Sequence, residues 1–201
     1  MRLYYSPASP YARKVLVVAD ELGLASQIET VVIAANPVGG PGELAAVNPL
    51  AKIPTLRLAD GEALYDSRVI VDHLITLSKV AILPEAWRER RAIMVEQATA
   101  DGLLDAALLA RYELALRPES LRWPEWIAGQ MAKIDRALDR FEPVRREVEP
   151  TLGDIAVACA LGYLDFRFAD YDWRSSRPSL RAFYEIFSER PSMTATDPRL
   201  T

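Results

Sequence analysis

Cysteine is almost missing from this sequence: Cys159 is the only one in 201 residues. A single thiol excludes an intrachain disulfide and any structural zinc site of the cysteine-rich kind. Long hydrophobic runs are missing too. The longest, "IAVACALGYL" at Ile155 to Leu164, falls well short of a membrane-spanning helix. The opening "MRLYYSPASP" carries two prolines where a signal peptide needs an unbroken apolar stretch. No membrane is therefore expected as a partner, and the reducing cytoplasm is the expected compartment. An excess of basic charge is also lacking. The net charge is −4, and residues 1–76 and the remainder are each slightly acidic, which argues against a nucleic-acid partner. What is present is ordinary for a folded protein: 50% apolar and 26% charged residues with no low-complexity segment.

Two patterns divide the chain. In the first, "RLYY" at 2–5 reads as a strand and Pro10–Leu22 as a helix, with Ser9 at the N-cap, Pro10 at the first helical position and Gly23 at the stop. A strand "QIETVVIA" follows, then the Pro/Gly-rich loop "NPVGGPG" and a short helical segment at Glu43–Val47. "IPTLRLADGEALYDS" predicts two strands around Asp60-Gly61, and Ser67–Leu77 a helix. The order βαβ-α-ββα is the thioredoxin-like arrangement. Beyond it the pattern is helical only, near 84–116, 123–142, 151–165 and 178–189, with Pro118, Pro143, Pro150 and Pro178 as separators. The fold class is thus α/β plus all-α: a thioredoxin-like domain at 1–76, a linker at 77–86 and a helical-bundle domain at 87–201.

Four stretches narrow this further: "SPYARKV" at 9–15, "NPLAKIPTL" at 48–56, "DSRVIVDHL" at 66–74 and "TLGDIAVACALGYLDFR" at 151–167. In order and spacing the chain resembles, over essentially its whole length, the soluble glutathione transferase family in a bacterial serine-type form. The resemblance implies that Ser9 is the catalytic hydroxyl, donating to the glutathione sulfur and favouring its thiolate. A helix N-terminus is a suitable place for this, since the positive end of the dipole also stabilises an anion. Tyr5, Ser6 and Tyr11 are competing hydroxyls. The sole histidine, His73, lies in the helix after the hairpin, and no deprotonated serine is required.

For glutathione itself the resemblance implies six more residues. Ile53 would pair through its main chain beside a cis Pro54, and Lys52 would meet the glycyl carboxylate. Asp66 and Ser67 would hold the γ-glutamyl end, although taken alone the pair also reads as a helix cap. Asp101, which shares a helix face with Asp105, would reach glutathione in a second subunit. An acceptor pocket built from Tyr11, Leu104, Leu108 and Tyr112 is expected to take a small, hydrophobic electrophile. Thr151 and Asp154 have the spacing of a capping box and are read as structural, and Cys159 as a buried, inert thiol.

The activity so implied is that of a homodimeric glutathione transferase in detoxification, with glutathione as cosubstrate and no metal. A glutathione-dependent peroxidase and a non-catalytic glutathione-binding protein of the same fold stay open as alternatives. Thiol exchange through the protein is disfavoured, because no cysteine lies near the first helix.

Overall fold

The computed structural model describes residues 1–34, 37–38, 42–142 and 149–200. Asn36, Gly39, Gly40 and Pro41 of the Pro/Gly-rich loop, Ala35 at the expected end of the second strand, and Pro143 lie outside the described residues. The chain divides into two units, Met1–Leu83 with Pro191–Thr201, and Pro84–Arg190.

In the first unit, β1 (Arg2–Tyr5), α1 (Pro10–Glu21), β2 (Glu29–Val32), β3 (Thr55–Arg57), β4 (Ala63–Leu64) and α2 (Ser67–Leu77) follow one another. The sheet order is β2-β1-β3-β4. β1 runs parallel to β2, with Tyr5 opposite Val32, and antiparallel to β3, with Tyr4 opposite Thr55. β3 and β4 are antiparallel, with Leu56 opposite Leu64. Leu3 and Leu56 of the sheet and Ile70 and Leu74 of α2 are wholly buried, together with Val15 and Val18 of α1. Each such side chain contributes about 1.5–3 kcal/mol relative to exposure. β2 is shorter than the expected strand because Ala25–Gln27 forms a 3₁₀ turn, although the Ile33 amide still donates to the Tyr5 carbonyl at 2.7 Å.

In the second unit, α3 (Trp87–Ala115) packs on α4 (Pro124–Phe141) and α5 (Leu152–Arg167), and α6 (Pro178–Phe187) packs on α5. Every residue of α5 from Leu152 to Leu164 is buried, as suits a helix apolar on all sides. The capping box that opens α5 is complete, with the Asp154 amide donating to Thr151 Oγ1 at 3.1 Å and the Thr151 amide to Asp154 Oδ2 at 2.9 Å. Cys159 is fully buried inside it.

Two expected boundaries shift. Ile82 and Leu83, placed in the linker, are buried and belong to the first unit. The segment from Pro191, placed in the helical domain, also belongs to the first unit. There its helix Pro191–Ala195 packs on α1, and the buried Arg13 guanidinium donates to the Met193 carbonyl at 2.9 Å.

Candidate functional site

The sheet register brings the expected glutathione residues to one end of the first unit. β1 runs toward Tyr5, β3 starts at Thr55 beside Tyr4, and β4 runs out toward Tyr65 alongside β3. The turn after β1 that ends in Ser9, the turn Lys52–Pro54 before β3, and the turn at Asp66–Ser67 after β4 therefore all leave the sheet at the same edge. Three segments far apart in sequence meet there because an antiparallel β3 enters where the other strands leave.

Ser9 is the N-cap of α1. Its Oγ accepts the Ala12 amide at 3.3 Å, its own amide donates to the Ser6 carbonyl at 2.9 Å, and its carbonyl accepts the Arg13 amide at 3.0 Å. A hydroxyl that accepts from the backbone keeps its hydrogen for another partner, so capping and donation to an anion are compatible. Tyr5, Ser6 and Tyr11 are half-buried around the same turn. Tyr5 and Ser6 also line a small recess of about 40 Å³, with Pro7, Arg13, Leu16, Ala195 and Thr196.

The turn before β3 is organised by a residue that the sequence reading passed over. Asn48, 1% exposed, donates through Nδ2 to the Lys52 carbonyl at 3.1 Å and to Thr55 Oγ1 at 2.9 Å, and its Oδ1 accepts the Leu50 amide at 2.9 Å. The Thr55 hydroxyl in turn donates to the Lys52 carbonyl at 2.8 Å. The loop folds around one buried amide, leaving the Lys52 side chain exposed and Ile53 half-buried. The Ile53–Pro54 peptide bond is cis, as the resemblance implies, and so is Tyr65–Asp66, which was not anticipated. The only local signal for Asn48 is Asn before Pro, which reads as a turn; its burial is a tertiary property.

Asp66 caps α2, accepting the Arg68 amide on Oδ1 at 2.9 Å, and stays exposed. Ser67, the first helical residue, is 3% exposed. A capped helix start with a carboxylate and a hydroxyl side by side can receive an ammonium and a carboxylate together.

Of the expected acceptor residues, Tyr11 lies in the first unit, on α1. Leu104, Leu108 and Tyr112 lie in the second, one above another on α3, with Leu104 buried and the other two half-buried. Burial raises the Tyr112 phenol above its ordinary pKa. Asp101 is only 1% exposed. It lies in the second unit, on α3. Among the described residues no group of His, Cys, Asp or Glu could hold a metal ion, and no helix is long and apolar enough to cross a membrane.

Comparisons with known proteins agree with this geometry. Residues 8–77 match the family model "Glutathione S-transferase, N-terminal domain", and residues 124–185 match "Glutathione S-transferase, C-terminal domain". The uncharacterized GST-like protein YibF of Escherichia coli K12 is 32% identical, with 98% of each chain covered. A glutathione transferase family member from Pseudomonas fluorescens Pf-5, solved with bound glutathione, is 43% identical with a TM-score of 0.92, again over 98% of each chain. A further structure of a Pf-5 family member, with bound S-(propanoic acid)-glutathione, is 42% identical with a TM-score of 0.90 and the same coverage. With both of its units so matched, the chain belongs to the glutathione S-transferase family.

Proposed function

We infer that this protein binds glutathione at the sheet end of its first unit and transfers it, as the thiolate, to small electrophilic acceptors. The observation that carries this reading is the Ser9 hydroxyl, which caps α1 by accepting the Ala12 amide and so keeps its own hydrogen for a sulfur anion. Lowering the thiol pKa by two units corresponds to about 2.7 kcal/mol. A charge-assisted hydrogen bond supplies about 1.5–3 kcal/mol and a helix N-terminus about 0.3–1 kcal/mol, enough together. Asp66 would hold the γ-glutamyl ammonium, Ser67 its carboxylate, the Ile53 main chain the cysteinyl backbone, and Lys52 the glycyl carboxylate. The turn at Pro54 sets the direction of the Ile53 backbone groups.

Bound glutathione or a glutathione conjugate in the Pseudomonas relatives supports the same ligand here. The propanoic acid carried by one of those ligands is consistent with reaction at the sulfur. Leu104, Leu108 and Tyr112 are the candidate acceptor-side residues of the second unit. Because Cys159 is buried within α5, no step passes through a protein thiol. A lone buried cysteine also suits the cytoplasm, and removal of reactive electrophiles is the role that fits this chemistry.

The exposed apolar residues Trp87, Met94 and Val95 of α3 and Val69 of α2 support a homodimer. Sedimentation at micromolar concentration should give twice the 22.4 kDa chain mass, and a single monomeric species would refute the dimer. The function is tested by calorimetry with glutathione alongside turnover of a panel of aryl halides, enoates and hydroperoxides. The reading predicts glutathione binding with conjugation of at least one electrophile. Binding without any turnover would leave a non-catalytic glutathione-binding protein, and turnover of hydroperoxides alone a peroxidase.

A further inference from the structure

The C-terminal segment belongs to the first unit, and side chains tie it to both ends of α1. α7 (Pro191–Ala195) has only five residues, so its last carbonyls find no amide further along a helix. Side chains take them instead. The Arg13 guanidinium donates from Nη2 to the Met193 carbonyl at 2.9 Å and from Nε to Thr196 Oγ1 at 3.3 Å, while the Thr196 hydroxyl donates to the Ser192 carbonyl at 2.8 Å. Near the other end of α1, Glu21 Oε1 accepts the Ser192 hydroxyl at 2.5 Å. Arg13 and Ser192 are 7% and 1% exposed, so neither tie is a surface contact.

Only the Arg13 tie is close to the turn that carries Ser9. The Arg13 amide donates to the Ser9 carbonyl at 3.0 Å, which places the residue one helical turn from the cap. The small recess beside Tyr5 is lined by Ser6 and Pro7 of that turn, by Arg13, and by Ala195 and Thr196 of the C-terminal segment. The turn therefore borders the end of the chain across a gap that Arg13 also lines. Both hydrogen bonds of the guanidinium run to uncharged oxygens, and Asp197, whose carboxylate feels the Arg13 charge, is taken by Arg199 at 2.6 Å. Burying a cation on neutral partners costs stability. What a guanidinium adds in return is a rigid, planar set of donors that holds two acceptors in one geometry, here three residues apart on the C-terminal segment.

We propose that Arg13 is a positioning residue for the glutathione thiolate: by fastening α1 to Met193 and Thr196, it fixes the turn from Ser6 to Ser9 and with it the direction of the Ser9 hydroxyl. The end of the chain thereby becomes part of the machinery that sets the hydrogen bond to sulfur. A hydrogen bond weakens steeply as its angle closes, so a small rotation of the turn is enough to deprive the thiolate of its donor. Arg13 acts through Ser9 and not on the sulfur. The tie between Ser192 and Glu21, near the far end of α1, stabilises the fold without setting the turn. The proposal rests on the transferase reading above and adds to it the residue that orients the hydroxyl.

The test follows the thiolate absorbance of glutathione, bound at saturation, against pH in Arg13→Met, Thr196→Val, Ser192→Ala and Ser9→Ala, with urea unfolding of each. Arg13→Met should raise the thiol pKa by about half a unit to one unit, a loss of thiolate of about three- to tenfold at lower pH, while glutathione affinity changes little. Thr196→Val, which keeps the arginine, should move it the same way by less. Ser192→Ala should lower stability and leave the titration in place. Arg13→Met combined with Ser9→Ala should shift the titration no further than Ser9→Ala alone, because a residue that acts through another adds nothing once that one is gone. A titration unmoved in Arg13→Met, or in Thr196→Val should the first variant fail to fold, overturns the proposal and leaves the Ser9 assignment standing. An equal rise in Ser192→Ala overturns it as well, in favour of general loosening of α1, and additive shifts overturn it in favour of a direct effect on sulfur. If glutathione does not bind the wild type, the transferase reading fails and the proposal fails with it.

Discussion

Asn48 Nδ2 donates to Thr55 Oγ1 at 2.9 Å, tying the start of the Lys52–Pro54 turn to the first residue of β3. The same amide group holds the Lys52 carbonyl, so one buried side chain sets the path of the segment proposed to meet the glutathione backbone. Replacing it by alanine strands the Leu50 amide and removes one of the two donors to that carbonyl. Asn48→Ala should cost about 1–3 kcal/mol in urea unfolding and weaken glutathione binding severalfold by calorimetry. Undiminished affinity in a destabilised protein would confine Asn48 to a structural role.

Glu113 provides a pH test in the second unit. The Trp123 amide, foremost, and the Arg117 side chain hold its carboxyl below the ordinary value of 4.5. A group whose pKa is lowered on folding stabilises the fold above its ordinary value and loses that contribution as pH falls through the lowered one. Thermal melts from about pH 7 to about pH 3 should therefore fall more steeply below 4.5 for the wild type than for Glu113→Gln, which cannot titrate. Parallel declines in the two proteins would contradict the assignment.

Ser67→Ala separates binding from chemistry. The γ-glutamyl end of glutathione is remote from its sulfur, so a contact there contributes equally to ground and transition states. The glutathione constant should rise by roughly tenfold while turnover at saturation changes little. A fall in saturated turnover with no change in affinity would place Ser67 in the chemistry instead.

How much of this was legible in the sequence depended on how local the cause was. α1 and α2 could be read almost to the residue because their caps, Ser9-Pro10 and Asp66, act within one turn. The capping box at Thr151 and Asp154 was legible for the same reason. β3 and β4, at three and two residues, were legible only through the Asp60-Gly61 turn between them. The helix Pro191–Ala195 was missed because its five residues carry no periodicity, and its place in the first unit depends on Arg13, 180 residues earlier than Met193. Asn48 was passed over because nothing local distinguishes a buried turn asparagine from an exposed one. The difference between Asp101, enclosed by the packing of α3, and Asp105, exposed on the same helix, was not legible because an acidic pair four residues apart looks alike at both positions in sequence.

The central claim is that Ser9 stabilises the glutathione thiolate, and the thiolate absorbance of enzyme-bound glutathione followed against pH tests it most directly. Ser9→Ala removes the donor while the dipole of α1 stays. The thiol pKa of bound glutathione should therefore rise by about one to two units, with turnover reduced roughly ten- to a hundredfold, equivalent to about 1.4–2.7 kcal/mol. Tyr5→Phe should leave the titration nearly where it was. Ser9→Cys should put a thiol of lowered pKa at the helix start and shift activity from conjugation toward thiol exchange. A titration unmoved in Ser9→Ala but displaced in Tyr5→Phe or Ser6→Ala would contradict the account and leave Ser9 a helix cap alone.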